Sequence, residues 1–342
     1  MVQRSSRRAP SPTKDAALAA VGAYREAVDS YLGSAHGGPS PLSEAMAGIL
    51  GAGGKRLRPI IALLACEAVS GDYTRALPVA ASFELAHSAS LVQDDIIDEA
   101  ETRHGRAAAH KSYGETRAML VSDMMLFEIF IELAKYADSR LPVRRLGKVS
   151  SYIGNAAKLT AEGEFFESVL AAKGGATVEE YVRLAELKTG SLFAAAAACG
   201  VLVGGGKAKQ VGAAYEFGLA LGVSFQARDD ILDITGNEED TGKPLLKDLQ
   251  NNATNLVLVY ALAKADPYQK QAIHSLLYKK WYAIPEVQKL VRTLESLSAV
   301  DSAVALESRY AAKAKEALRA LPDSKAKETL EGLAEGLGSR TK

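Results

Sequence analysis

Apolar residues recur along most of this chain at steps of three, four and seven, the spacing of one face of an α-helix. Tyr181, Leu184 and Ala185 follow this pattern, Lys188 takes the next place on the same face, and the run continues into Leu192-Phe193. Alternating β-branched runs are scarce, and between Pro78 and Pro244 the only proline is Pro142. Breaks fall at Gly37-Gly38-Pro39, Gly53-Gly54, Ser70-Gly71-Asp72, Gly174-Gly175, Gly204-Gly205-Gly206 and Gly236 to Pro244. The pattern predicts roughly ten helices with short connections and one longer loop near the end of the series. No shift in composition marks a boundary. The expected fold is all-α, a single large helical bundle over residues 15–342, behind a disordered basic tail at 1–14.

Two stretches interrupt these apolar faces with carboxylates. Asp94-Asp95-Ile96-Ile97-Asp98 in the first third returns as Asp229-Asp230-Ile231-Leu232-Asp233 in the last. On a helix the outer aspartates of each set lie about 40° apart, one turn up the same face. One acidic cluster alone would ordinarily be a solvated face. The duplication, and the apolar residues on either side of both sets, favour two helices aiming hard oxygen ligands at each other. Mg²⁺ suits such a place, because it takes one or two carboxylates and shares the rest of its shell with water and substrate phosphates.

Composition narrows the choice of partner. Of 342 residues, 41 are Lys or Arg and 41 are Asp or Glu, so no global field points to nucleic acid. Cys66 and Cys199 lie in Ala-rich apolar segments without metal-ligand spacing, which reads as two reduced, buried thiols. The amino-terminal residues lack the apolar core of a secretory signal, and no apolar run is read as long enough to span a membrane. A cytoplasmic protein is expected.

Carboxylate metal sites commonly serve phosphates, and matching cations are present. Gly53-Gly54-Lys55-Arg56-Leu57-Arg58-Pro59 gathers three in a glycine-opened turn before a helix. Arg103-His104-Gly105-Arg106 follows the first aspartate set, Lys188-Thr189-Gly190-Ser191 lies in an apolar helix where an unpaired lysine is costly, and Gly242-Lys243-Pro244 follows the second set. Neither Gly54-Lys55 nor Gly206-Lys207 has the flanking residues of a phosphate-binding P-loop.

Five of these motifs, namely the basic turn at Gly53, the first aspartate set, Arg103-His104-Gly105, Lys188-Thr189-Gly190-Ser191 and the second aspartate set, follow in this order between Gly53 and Asn255 and resemble those of the trans-isoprenyl (polyprenyl) diphosphate synthases. The resemblance implies an all-α fold around a deep central cavity, usually homodimeric. It implies about three Mg²⁺ ions held by Asp94, Asp98 and Asp229, with Asp95, Asp230 and Asp233 in support. It implies an allylic diphosphate clamped by Arg103, Lys188, Thr189, Gln226 and Lys243, and isopentenyl diphosphate held by Lys55, Arg58 and His87. The implied activity joins the two into a trans-prenyl diphosphate. A terpene-synthase-like lyase on the same fold and a regulatory subunit of a heteromeric synthase are the alternatives. Intact aspartate sets count against the regulatory subunit, and the surviving Lys55, Arg58 and His87 count against the lyase.

Departures from the family pattern are His104, where relatives have a second arginine, Ala253, where they have a lysine, and Gln93, often a histidine. The first two weaken the expected hold on diphosphate. Counting back along the helix from Asp94, Ser90, Ala89 and Ala86 point down the cavity and all are small. A product of geranylgeranyl length or longer, C20 to C40, is expected, with a floor made by Met124, Phe127 or Phe130.

Overall fold

The structure, a computed structural model, describes residues 12–137, 139, 141–236, 254–276 and 284–337. Among them are fifteen α-helices: α1 (Pro12–Ala35), α2 (Pro41–Leu50), α3 (Leu57–Ser70), α4 (Leu77–Ile97), α5 (Ala109–Tyr113), α6 (Glu115–Ala134), α7 (Val143–Lys173), α8 (Val178–Ala185), α9 (Ser191–Val203), α10 (Ala208–Thr235), α11 (Leu256–Lys264), α12 (Pro267–His274), α13 (Ile284–Ser296), α14 (Ala299–Ala317) and α15 (Lys325–Leu337). The all-α expectation holds, with more and shorter helices after α10 than the pattern predicted. Helix α1 starts at Pro12, so the last three residues of the expected tail are helical. Residues 1–11 lie outside the described residues, as do 237–253 with Lys243 and Ala253.

Local chemistry sets the helix ends. Ser40 caps α2 by accepting from Ser43 N–H, with Pro41 in the first turn. Thr177 and Glu180 form a reciprocal capping box on α8. The Asn255 side chain caps α11 through Val257 and Leu258 N–H. Two-residue strands β1 (Thr102–Arg103) and β2 (Arg106–Ala107) form a hairpin that the helical pattern did not predict. Its turn, His104-Gly105, has φ of 51° and 74°, the left-handed pair that a tight hairpin requires.

The core is built around α9, whose residues Ser191 to Val203 are all buried, between α3, α7 and α10. Its alanines and glycines let neighbouring backbones come close. A Cβ at Gly200 would strike Ala62 of α3, one at Gly218 would strike Phe193, and one at Gly222 would strike Gly190. Helices α8 and α9 run on as one through a wide π-turn at Glu186–Gly190, where Ser191 N–H reaches back to Glu186. This continuous stretch, Val178–Val203, is apolar and long enough to cross a membrane, contrary to the sequence reading. Its most apolar part is 83% buried inside the protein, the behaviour of a central core helix.

Candidate active site

A cavity of about 2170 Å³ opens between α4, α7, the π-turn and α10. Its wall contains Lys55, Arg58, Ala86, His87, Ser90, Asp94, Asp95, Asp98, Arg103, His104, Lys188, Thr189, Gln226, Asp229, Asp230 and Asp233. Motifs more than a hundred residues apart therefore meet at one place. The close Gly190–Gly222 crossing sets the π-turn beside Gln226.

The aspartates divide by position. Asp94 and Asp95 end α4, and Asp98 is its C-cap. Asp229 and Asp233 lie in the last two turns of α10. Helix C-termini carry partial negative charge, so both sets are placed where carboxylates are least comfortable without a cation. The middle aspartates are buried and used internally. Asp95 binds the Arg103 guanidinium, with Nε at 2.9 Å. Asp230 accepts from Gln226 Nε2 at 2.9 Å and from Leu256 N–H at 2.8 Å, and its carbonyl accepts from Asn255 at 3.1 Å. That network ties α10 to the start of α11. Asp94, Asp98, Asp229 and Asp233 remain only partly covered or exposed.

Lys188 is not the unpaired lysine that the sequence warned of. Its Nζ lies 2.6 Å from Glu164, 2.7 Å from Glu167 and 3.4 Å from Asp94. Burial opposes its charge, but Glu167, Asp94 and Glu164 outweigh burial and raise its pKa. Burial, aided by Asp94, holds the Glu164 carboxyl well above the usual carboxylate range against the pull of Lys188. Sequence reasoning missed both glutamates. Their signal was present in Gly163-Glu164-Phe165-Phe166-Glu167, two acids one turn apart on a helix. A Cβ at Gly163 would stand 2.7 Å from Lys188 N, so α7 presses against the π-turn. Glu167 also accepts from Thr254 N–H at 3.1 Å.

Thr189 Oγ1 donates to Gln226 Oε1 at 3.0 Å, which orients the glutamine toward Asp230. Arg103, expected to be given to substrate, is already paired with Asp95 and about one third exposed. His104 lies against the basic turn, its Nε2 4.0 Å from where a Cβ of Gly54 would stand. Gln93 donates to Ser122 at 3.0 Å. Arg58 lies 4.7 Å from the Phe193 ring, and Lys55 lies 5.7 Å from the Phe225 ring. Burial lowers the Arg58 pKa to about 10. Burial, then the positive charges of Arg58 and Arg103, holds His87 well below the usual imidazole value.

Two chain-length expectations need correction. Ala86 and Ser90 are on the cavity wall, but Ala89 is not. It is 1% exposed, and its carbonyl accepts from Ser122 of α6 at 3.2 Å. Phe127 and Phe130 are 66% and 70% exposed on α6, and neither they nor Met124 line the cavity. Leu126 is the α6 residue that does. The outer face of that helix, not its inner one, carries the aromatics.

Among the described residues no group of three or more His, Cys, Asp or Glu side chains is close enough to hold a metal by itself. The donor set is nonetheless hard and all-oxygen, carried by two helices that line the same cavity. That fits an ion whose shell is completed by phosphate oxygens.

The sequence pattern of the Polyprenyl synthetase family matches residues 39–294. The geranylgeranyl diphosphate synthase of Methanosarcina mazei is 33% identical over 272 residues, 80% of this chain and 81% of that protein. The farnesyl diphosphate synthase of Geobacillus stearothermophilus is 36% identical over 250 residues, 69% of this chain and 80% of that one. A geranylgeranyl pyrophosphate synthetase structure from Pyrococcus horikoshii superposes with a TM-score of 0.89 at 31% identity, over 95% of this chain and 99% of that one. The polyprenyl synthase of Caulobacter crescentus, complexed with calcium and isoprenyl diphosphate, gives 0.86 at 26% identity, over 98% and 100%. A paired-aspartate cavity in an all-α frame and these likenesses lead to one conclusion: the chain belongs to the polyprenyl synthetase family and is a chain-elongating prenyltransferase.

Proposed function

We propose that the protein condenses isopentenyl diphosphate with an allylic diphosphate to give a trans-prenyl diphosphate of geranylgeranyl length or longer. The observation that carries this reading is the convergence of both aspartate sets and the basic turn on one cavity of about 2170 Å³. Asp94 and Asp98 on one wall, and Asp229 and Asp233 on the other, would hold about three Mg²⁺ ions together with diphosphate oxygens. When bound, the metal supplies charge neutralisation of the leaving diphosphate. Lys188, Thr189 and Gln226 orient the allylic diphosphate, with Arg103 beside them and Lys243 in the segment outside the described residues. Lys55, Arg58 and His87 hold isopentenyl diphosphate, with His104 at its edge.

In this arrangement the allylic C–O bond breaks and leaves a delocalised carbocation. Lys188 stabilises the anion that departs. Leu184, Leu192 and Phe225 on the cavity wall keep water from the cation. The isopentenyl double bond attacks, and the surplus proton leaves to the departing diphosphate. Small Ala86 and Ser90 leave room for the growing chain beside α4.

The exposed Met119, Leu120, Phe127, Phe130 and Ile131 on α6 form an apolar face of the kind that oligomers cover. A homodimer of a cytoplasmic protein accounts for it. Sedimentation should give twice the chain mass, and Phe127→Glu should shift it toward monomer.

The activity test is incubation with Mg²⁺, isopentenyl diphosphate and allylic primers of several lengths, followed by product chromatography. Longer diphosphates are expected. Hydrocarbons or alcohols without added isopentenyl units would overturn the reading.

A further inference from the structure

The basic turn carries three cations, and one of them is committed to the protein. Arg56 is 5% exposed. Its Nε donates to Asp29 Oδ1 at 2.9 Å, one terminal nitrogen pairs with Glu84, and the other donates to the Leu50 carbonyl. Its backbone is left-handed, φ 50° and ψ 30°, at the N-cap of α3. A residue with a side chain pays roughly 1 kcal/mol or more for that conformation. The side-chain contacts are what hold it there. A left-handed residue reverses the local path of the chain, so Arg56 fixes the directions in which Lys55 and Arg58 leave the turn. Those two extend along the aromatic wall of Phe225 and Phe193.

Asp29 belongs to α1, which lies before the stretch matched by the family pattern. Its other oxygen, Oδ2, stands 3.7 Å from Arg25 Nε, and Arg25 is itself on the cavity wall. The Asp29 side chain is 41% exposed, so neutralising it leaves no buried void, and Glu84 still faces the buried Arg56 charge.

We infer that Asp29 is a positioning residue. Through Arg56 it holds the basic turn so that Lys55 and Arg58 present their cations to the diphosphate of the isopentenyl substrate. Helix α1 is thereby part of that site. This rests on the assignment of Lys55 and Arg58 to isopentenyl diphosphate.

The test is steady-state kinetics of Asp29→Asn and Asp29→Glu, varying each substrate with the other saturating. Asp29→Asn should raise KM for isopentenyl diphosphate about tenfold, because a turn held less firmly misplaces both cations. Allylic KM, kcat and melting temperature should stay close to those of the unaltered enzyme, and Asp29→Glu should restore most of the loss. An unchanged isopentenyl KM overturns the inference. So does a joint loss of both affinities and of thermal stability, which is what a merely structural contact would give. Lys55→Ala and Arg58→Ala serve as references. If they raise isopentenyl KM and Asp29→Asn does not, the inference alone fails. If they leave it unchanged, the assignment beneath it fails and the inference falls with it.

Discussion

Lys188 and Asp94 meet on the cavity wall, Nζ 3.4 Å from Oδ1, while the same ammonium holds Glu164 and Glu167 of α7. One lysine thus pairs with three carboxylates from two helices. Removing it strands all three. Lys188→Met should lower kcat about a hundredfold and lower the melting temperature. Adding Glu164→Gln should recover part of the melting temperature and none of the rate. Calorimetry beside single-turnover assays separates the two effects.

Product length should respond to the residues on the wall. Ala86→Phe or Ser90→Phe should shorten the prenyl chain, read by chromatography of dephosphorylated products. Ala89→Phe should instead overpack the α4–α6 contact and cost about 1–3 kcal/mol in denaturant unfolding.

The sequence made the metal-bearing faces legible because carboxylates in an apolar run break a strong period. It also exposed the helix breaks, since Gly71 and Gly174 end α3 and α7 in left-handed conformations that glycine adopts freely. The helical period by itself does not separate the roles within each set; only the resemblance puts Asp95, Asp230 and Asp233 in support. Asp95 and Asp230 differ from their neighbours only by which way the helix turns them, and that depends on Arg103, Gln226 and Asn255 arriving from elsewhere. Glu164 and Glu167 were missed because α7 is half solvated, and acids on a half-solvated helix look like surface. Ala89 was misplaced because a one-residue step on α4 separates the cavity wall from the contact with α6.

Helix crossing should be as sensitive as chemistry. A Cβ at Gly222 would collide with Gly190, so Gly222→Ala must part α10 from the π-turn. The expected cost is about 1–3 kcal/mol of stability, with a fall in kcat as Thr189 loses Gln226. Gly212, where nothing lies within 4 Å, is the control, and its alanine variant should be neutral or slightly stabilising.

His87 gives a proton signature. Burial, then Arg58, Arg103, His104 and Arg56, keeps its folded pKa below that of the unfolded chain. The unfolded state therefore binds the extra proton, and this residue's contribution to stability is lost as pH falls below about 6.5. A diphosphate placed against it reverses the field and raises the pKa. Binding of isopentenyl diphosphate near pH 6 should take up a proton, seen as buffer-dependent heat in titration calorimetry. His87→Asn should abolish that difference.

Both aspartate sets stand where their helices end, so the part of the cavity they line repels anions before any substrate arrives. An uncomplexed diphosphate meets that repulsion in full, whereas one already wrapped in divalent ions does not. Turnover should therefore track the concentration of the chelate, rather than that of either component. Excess free diphosphate ester should act as a depleting agent for its own reaction.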